Sequence, residues 1–195
     1  CDNQPFIAKA PLILIFLADY SKWYKYYEVN GVREFQKDRG ETFVGPSAGS
    51  FVLALQDAVI AAENAVIAAE SLGIGSCYIG DIMEQKEYHK TLFNLPEYVF
   101  PVAMLTLGYY PEDYMVPLKE RFAEKYVVFE ERYNELSKED IDDMFRKRDQ
   151  LFTAKNKYNA KNYAQMHYNF KVKAPFSKEM QRSVEEALKE WDKKE

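Results

Sequence analysis

Residues 51–72 read Phe-Val-Leu-Ala-Leu-Gln-Asp-Ala-Val-Ile-Ala-Ala-Glu-Asn-Ala-Val-Ile-Ala-Ala-Glu-Ser-Leu, and Gly73 follows. Only Gln56, Asp57, Glu63, Asn64, Glu70 and Ser71 are polar, and they recur every six to seven residues. That spacing draws one narrow polar stripe on a helix that is apolar over the rest of its circumference. Such a helix has to be central to its fold or shared with a second subunit. Its alanines permit close helix–helix approach. Gly45-Pro46-Ser47 is a start signal with Ser47 as N-cap, and Gly73 is the glycine stop just past the C-terminus.

Working outward, Leu12-Ile13-Leu14-Ile15-Phe16-Leu17-Ala18 is a short unbroken apolar run. It reads as a strand buried on both faces. Tyr98–Tyr109 reads as a second buried strand, with Pro101 near its start, where a missing N–H does least harm. Ser76–Ile82 is a short strand or loop leaving the long helix, and Met83–Phe93 a short amphipathic helix ended by Leu95-Pro96. The aromatic stretch Lys22–Glu41 suits surface helix and loop, or a lid. Ser137 with Asp140 three residues on resembles a capping box. Met180, Val184, Leu188 and Trp191 lie on one stripe of a last helix, Ser177–Trp191. The charged, aromatic block 116–195 reads as a C-terminal helical arm on a single domain spanning 1–195. The chain opens on Cys1 rather than Met and enters a core-like strand by residue 12, which reads as the interior of a longer protein.

Composition narrows the function. The 195 residues carry 26 Lys and Arg against 31 Asp and Glu, a net charge of −5. An acidic chain lacks the basic footprint that non-specific nucleic-acid binding requires. Cys1 and Cys77 are far apart and match no zinc spacing, and His89 and His167 are too few for a histidine-rich metal site. No uninterrupted apolar run reaches the roughly 18 residues of a membrane span. The opening residues are not a basic, then apolar, export signal, so the expected compartment is the cytoplasm.

Few residues offer chemistry by themselves. Ser71-Leu72-Gly73-Ile74-Gly75-Ser76 follows a helix, whereas a dinucleotide-binding glycine loop follows a strand and opens a helix. Gly73, Gly75 and Gly80 fall within eight residues, and this density points to backbone brought close to something flat or crowded. Lys119 and Arg121 lie on the same side of an extended segment. The pair could grip a phosphate, and spacing alone fits a solvated surface pair better. Cys77 reads as an inert core residue, and neither His89 nor His167 has a partner at a catalytic spacing.

The segment from Gln56 through Ile82, with its Gly73-Ile74-Gly75 and Tyr78-Ile79-Gly80-Asp81 blocks, resembles the FMN-dependent nitroreductase family. It is most similar to the NADPH-using nitroreductase and flavin-reductase branch. Asn3-Gln4-Pro5-Phe6-Ile7-Ala8-Lys9-Ala10-Pro11 and the strand ending Leu17-Ala18-Asp19 resemble the same branch. So do Leu95-Pro96 through Leu107-Gly108-Tyr109 and the tail motif Val127-Val128-Phe129-Glu130-Glu131-Arg132-Tyr133.

The resemblance implies an α+β, nitroreductase-like sandwich: a central, mostly antiparallel sheet flanked by helices. It implies a homodimer with FMN at the subunit interface and residues 51–72 as the interface helix. It implies electron transfer from NAD(P)H to nitroaromatics, quinones or flavins in ping-pong order. Carried over by position, Tyr78, Ile79, Gly80 and Asp81 line one edge of the flavin, with the Gly80 amide donating to N5. The close-backbone glycines lie against the ring. Asp81 stands where close relatives carry a second glycine. Gln4 lies near the polar edge of the ring, and Lys119 and Arg121 become a phosphate-binding Lys-x-Arg pair. The family's N-terminal Arg-Ser-x-Arg type motif does not occur in the chain, so the expectation is weak FMN retention. The alternative expectation is a catalytically silent dimeric scaffold or flavin-binding remnant.

Overall fold

The computed structural model describes residues 4–115 and 118–192. Cys1 and Asn3 of the motifs above, and the first two residues of the arm, Val116 and Pro117, lie outside them. The chain divides into two compact units. One comprises the described residues up to Glu112 together with those from Lys178 on, and the other is Asp113–Ser177.

The first unit is an antiparallel sheet with helices on it, as the α+β expectation required. Strands β1 (Leu12–Asp19), β2 (Ile74–Ile79) and β3 (Val99–Tyr109) lie in the order β1-β3-β2. The central position explains the composition of β3: every residue from Val99 to Leu107 is buried. β1, like β2, is an edge strand instead. Leu12 and Ile13 are exposed and only Ala18 is fully buried, so the reading of a strand covered on both faces belongs to β3 and not to β1. Pro101 is tolerated in the central strand because the ladder is irregular there. The β1–β3 register shifts between Phe16 and Leu17, where Leu17 faces Pro101, and β2 pairs only from Met104 onward.

The aromatic stretch after β1 folds as two surface helices, α1 (Ser21–Val29) and α2 (Val32–Asp38), with no buried residue in either. Next comes α3 (Ala48–Ser71), opened by a capping box between Ser47 and Ser50 and stopped by Gly73 at φ 71°. It packs along the sheet through Phe51, Ala58, Ala62 and Ala69. Its opposite face carries the polar stripe and, among it, exposed large apolar residues: Ile60 and Ile67 are 61% and 62% accessible, with Val52, Leu53 and Val59 also exposed. By length and composition α3 could cross a membrane, which the search for unbroken runs overlooked because spaced polar residues interrupt it.

Helix α4 (Lys86–Leu92) is shorter than expected, since Gly80–Met83 forms a 3-10 turn before it. The second unit holds α5 (Lys138–Asp149), with the expected Ser137–Asp140 capping box, and α6 (Tyr163–Lys171). Helix α7 (Pro175–Trp191) carries the chain back to the first unit. There Trp191, 1% exposed, closes the core. Its ring stands edge-on to Phe51 of α3 at 5.1 Å and to Tyr98 at 6.1 Å, in one cluster with Ala18, Phe100 and Val102.

Ion pairs fasten α7 to α4. Lys86 and Lys90 both reach Glu190, at 2.6 and 3.1 Å, and Arg182 forks onto Glu87 and Glu179. Between them the buried His89 stacks on Phe93, and burial holds its pKa below the ordinary value.

Two outcomes follow. Trp191→Ala should cost about 3–5 kcal/mol of stability by urea denaturation, because the vacated volume is walled by β3 and α3. Because the folded pKa of His89 is depressed, the native state binds its proton less readily than the unfolded chain. Stability should therefore fall as pH drops below about 6.5. That slope, measured between about pH 6.5 and 5, should be shallower in His89→Asn whatever the variant's absolute stability.

Candidate flavin site

The end of β2 and the turn after it bring together most of the residues expected at a site. Tyr78 is the last half-exposed residue of β2, and its hydroxyl donates to Glu63 Oε2 on α3 at 3.3 Å. Partial burial, and then the Glu63 carboxylate, push the phenol pKa up, so Tyr78 stays a neutral donor. Ile79 turns inward among Ile82 and Met104, with Ile7, Ile15 and Met83 packed around them, and anchors the strand end. Gly80 then opens the 3-10 turn on the surface, and Asp81 follows it.

Gln4 meets Asp81 although 77 positions separate them: its Nε2 donates to Asp81 Oδ2 at 2.6 Å. An ionised carboxylate only accepts, so this bond fixes which way round the Gln4 amide lies. Among the described residues its second N–H and its side-chain carbonyl have no other partner. Asp81, the departure from the two-glycine pattern, thus has a definite task in this chain.

The three clustered glycines separate into different roles. Gly73 is the left-handed helix stop. Gly75 is covered by the chain itself: a Cβ there would lie 2.8 Å from Cε1 of the Tyr110 ring. Its cross-strand partner Gly108 has Pro11 Cδ at 3.2 Å from the same construction. The expectation that the close-backbone glycines lie against a flavin ring is therefore corrected for Gly75, whose flat neighbour is Tyr110. Gly80 alone of the three both avoids a left-handed φ and faces open space, with nothing within 4 Å of a Cβ.

Lys119 and Arg121 belong to the second unit. There they line a cleft of about 730 Å³ with Tyr126, Arg146, Lys147 and Arg148. The other cations have partners: Arg146 pairs with Asp143, Lys147 with Glu120, and Arg148 lies over Phe122 at 4.3 Å. Among the described residues Lys119 and Arg121 make no ion pair, and both are exposed. Cys77 is also exposed, not a core residue: although it shares a strand face with the buried Gly75 and Ile79, nothing covers that face at its position.

Sequence reasoning missed the supports of the turn. The Glu63 partner of Tyr78 sits in the polar stripe of α3, and only the return of the chain from α3 into β2 pairs them. Ser183 of α7 donates to the Met83 carbonyl at 2.6 Å. The signal was a small polar residue four positions before Ala187 and eight before Trp191, inside an inward stripe.

An antiparallel sheet backed by a long apolar helix, with an open glycine turn at the end of the edge strand β2, is the α+β arrangement the sequence led us to expect. The nitroreductase family model matches residues 2–109, and the chain belongs to that family. It is 28% identical over 131 residues to an FMN reductase [NAD(P)H] of Bacillus subtilis, covering 67% of this chain and 49% of that protein. A Cr(VI) reductase of a Pseudomonas strain is 38% identical over 72 residues, 37% of this chain and 30% of that protein. Among solved structures, NfrA2 of B. megaterium superposes with a TM-score of 0.74 at 30% identity, over 99% of this chain and 74% of that one. The chain thus spans half or less of these two curated relatives.

The two glycines should respond oppositely to a methyl group. Gly80→Ala should leave stability within about 0.5 kcal/mol of the parent. Gly75→Ala should lose about 1–3 kcal/mol by overpacking against Tyr110, and Tyr110→Ala should recover most of it in the double variant. Urea denaturation of the four proteins checks this.

Proposed function

We propose that the chain is the flavin-holding part of an FMN-dependent oxidoreductase that takes electrons from NAD(P)H and passes them to nitroaromatics, quinones or flavins. The observation that carries the reading is the open Gly80 turn beside the Gln4–Asp81 bond, in a chain of the nitroreductase family. The donor set fits the group. A flat ring needs backbone that can be approached closely, and Gly80 has no neighbour that a ring would have to displace. A ring with amide-like edges needs paired donors and acceptors, and the Gln4 amide, oriented by Asp81, supplies both.

When bound, FMN supplies the hydride chemistry, accepting two electrons from the nicotinamide and releasing them to an acceptor. The chain's own residues hold and orient. The Gly80 N–H would donate toward N5 of the ring. Gln4 addresses its polar edge, Ile79 keeps the strand end rigid, and Tyr78, tethered to Glu63, walls the side. Lys119 and Arg121 are the proposed phosphate ligands, since free cations suit a dianion better than paired ones. Donor and acceptor would use one exposed face in turn, which is ping-pong order.

We also propose a homodimer through the outer face of α3. Val52, Leu53, Val59, Ile60 and Ile67 are all exposed there, around the polar Gln56 and Glu63, and so many large apolar side chains on one helix face are unusual for a soluble monomer. In light scattering at low micromolar concentration the parent should be a dimer. Ile60→Arg, which places a charge among those residues, should dissociate it.

FMN fluorescence titration tests the flavin assignment. Removing two charge-assisted bonds, each worth roughly 1.5–3 kcal/mol, should weaken FMN binding by about two to four orders of magnitude in the Lys119→Ala, Arg121→Ala double variant. Riboflavin, which has no phosphate, should bind as before. Gly80→Val should lose both ligands while remaining folded. A parent that binds neither would favour the scaffold reading.

A further inference from the structure

Ser183 is 0% exposed, the one fully buried polar side chain on the inward stripe of α7 that otherwise buries Ala187 and Trp191. Burying a hydroxyl costs free energy unless it is bonded, and an alanine would pack there as Ala187 does one turn later. The hydroxyl is fully used. Ser183 Oγ donates to the Met83 carbonyl at 2.6 Å and accepts from the Lys86 N–H at 3.0 Å. Met83 ends the 3-10 turn that begins at Gly80, and Lys86 begins α4. One side chain therefore ties the two ends of the segment directly after Gly80.

Other groups grip the same few residues. Gln85 has a left-handed backbone, φ 50°, which a non-glycine residue adopts only when held there. Its N–H donates to Glu179 Oε1 at 3.1 Å, one turn before Ser183 on α7. The buried His89 ring faces the backbone of Ile82 and Glu84, with Nδ1 left without a hydrogen-bond partner among the described residues. Lys86 itself is pinned to Glu190 of α7 at 2.6 Å. At the other end Asp81 is held by Gln4. Residues 81–86 are thus fastened from behind, chiefly by α7, while Gly80 in front of them stays open.

We infer that Ser183 is a positioning residue for the flavin ring: through Met83 and Lys86 it lets the C-terminal helix fix the turn that aims the Gly80 N–H. The inference rests on the reading of Gly80 as the flavin-facing amide. A donor already fixed in its bound geometry costs nothing to order when the ring arrives. Ser183→Ala would strand the Met83 carbonyl and the Lys86 N–H in a buried place, so the turn would have to move to reach water.

The test uses the full chain and two probes, riboflavin and FMN. Ser183→Ala should weaken both by about the same factor, roughly tenfold, because the ring end is disturbed and not the phosphate end. The Lys119, Arg121 double variant affects FMN alone, so the two causes are separable. Hydrogen exchange without flavin should quicken at residues 80–86 in Ser183→Ala, and the potential of bound riboflavin should shift. Ser183→Cys, whose thiol donates and accepts weakly, should fall between parent and alanine in each readout. Should Ser183→Ala not fold, Glu179→Ala frees the Gln85 N–H and should lower riboflavin affinity about threefold. Faster exchange at 80–86 with unchanged riboflavin affinity would reduce Ser183 to a structural residue and overturn the inference. If instead Gly80→Val binds riboflavin as the parent does, the underlying reading of Gly80 fails, and the inference with it.

Discussion

The burial of Trp191 is the constraint on which the first unit depends. Its indole fills the space between Phe51 of α3, Tyr98 and the sheet, and leaves 1% of its surface exposed. Removing an indole from a close-packed site costs both its transfer free energy and the cavity. A residue 191 positions along the chain therefore decides whether a core begun at Ala18 is complete. It also sets the axial position of α7, and with it Ser183 and Glu179, which hold the segment behind Gly80. Core closure and site geometry are two results of seating one helix.

The turn itself combines rigid backing with an open front. Ile79 and Ile82 point into a small apolar cluster with Met104, Asp81 is tied to Gln4, and Met83 is tied to Ser183. Each is a contact on the protein side of the backbone. Gly80 has no Cβ and no neighbour on the outer side. A backbone donor presented this way is fixed without being covered, which is what stabilising charge on a bound ring requires.

The long helix α3 shows how one sequence serves two surfaces. Beyond Phe51, Ala58, Ala62 and Ala69 give a smooth, small-residue face that lies close on the sheet. The larger Ile60 and Ile67 fall on the other side and remain exposed. Small residues inward and large apolar ones outward reverse the usual order for a helix facing water, and this reversal is the ground on which we propose that a second copy of the chain covers the outer face.

Much of this was legible along the chain. Ser47, Gly73 and the Ser137–Asp140 pair mark helix ends because caps act over three or four residues, within reach of any sequence reading. The long apolar helix and the last helix follow from periodicity, both flanking strands from unbroken apolar runs, and the Gly-Ile-Gly and Tyr-Ile-Gly-Asp blocks carried the family. Which apolar run becomes the central strand was not legible. Leu12–Ala18 and Val99–Leu107 look alike as text, and only pairing on both sides buries the second. Nor could the sequence assign Gly75 to Tyr110 and leave Gly80 free, since both are glycines beside one strand and differ only in what lies across from them. The Gln4–Asp81 bond and the hold of Ser183 on Met83 join residues 77 and 100 positions apart. Local propensity sets each element within a few residues, whereas contacts at such separations exist only once the chain has been brought back on itself, so the tertiary structure alone decided them.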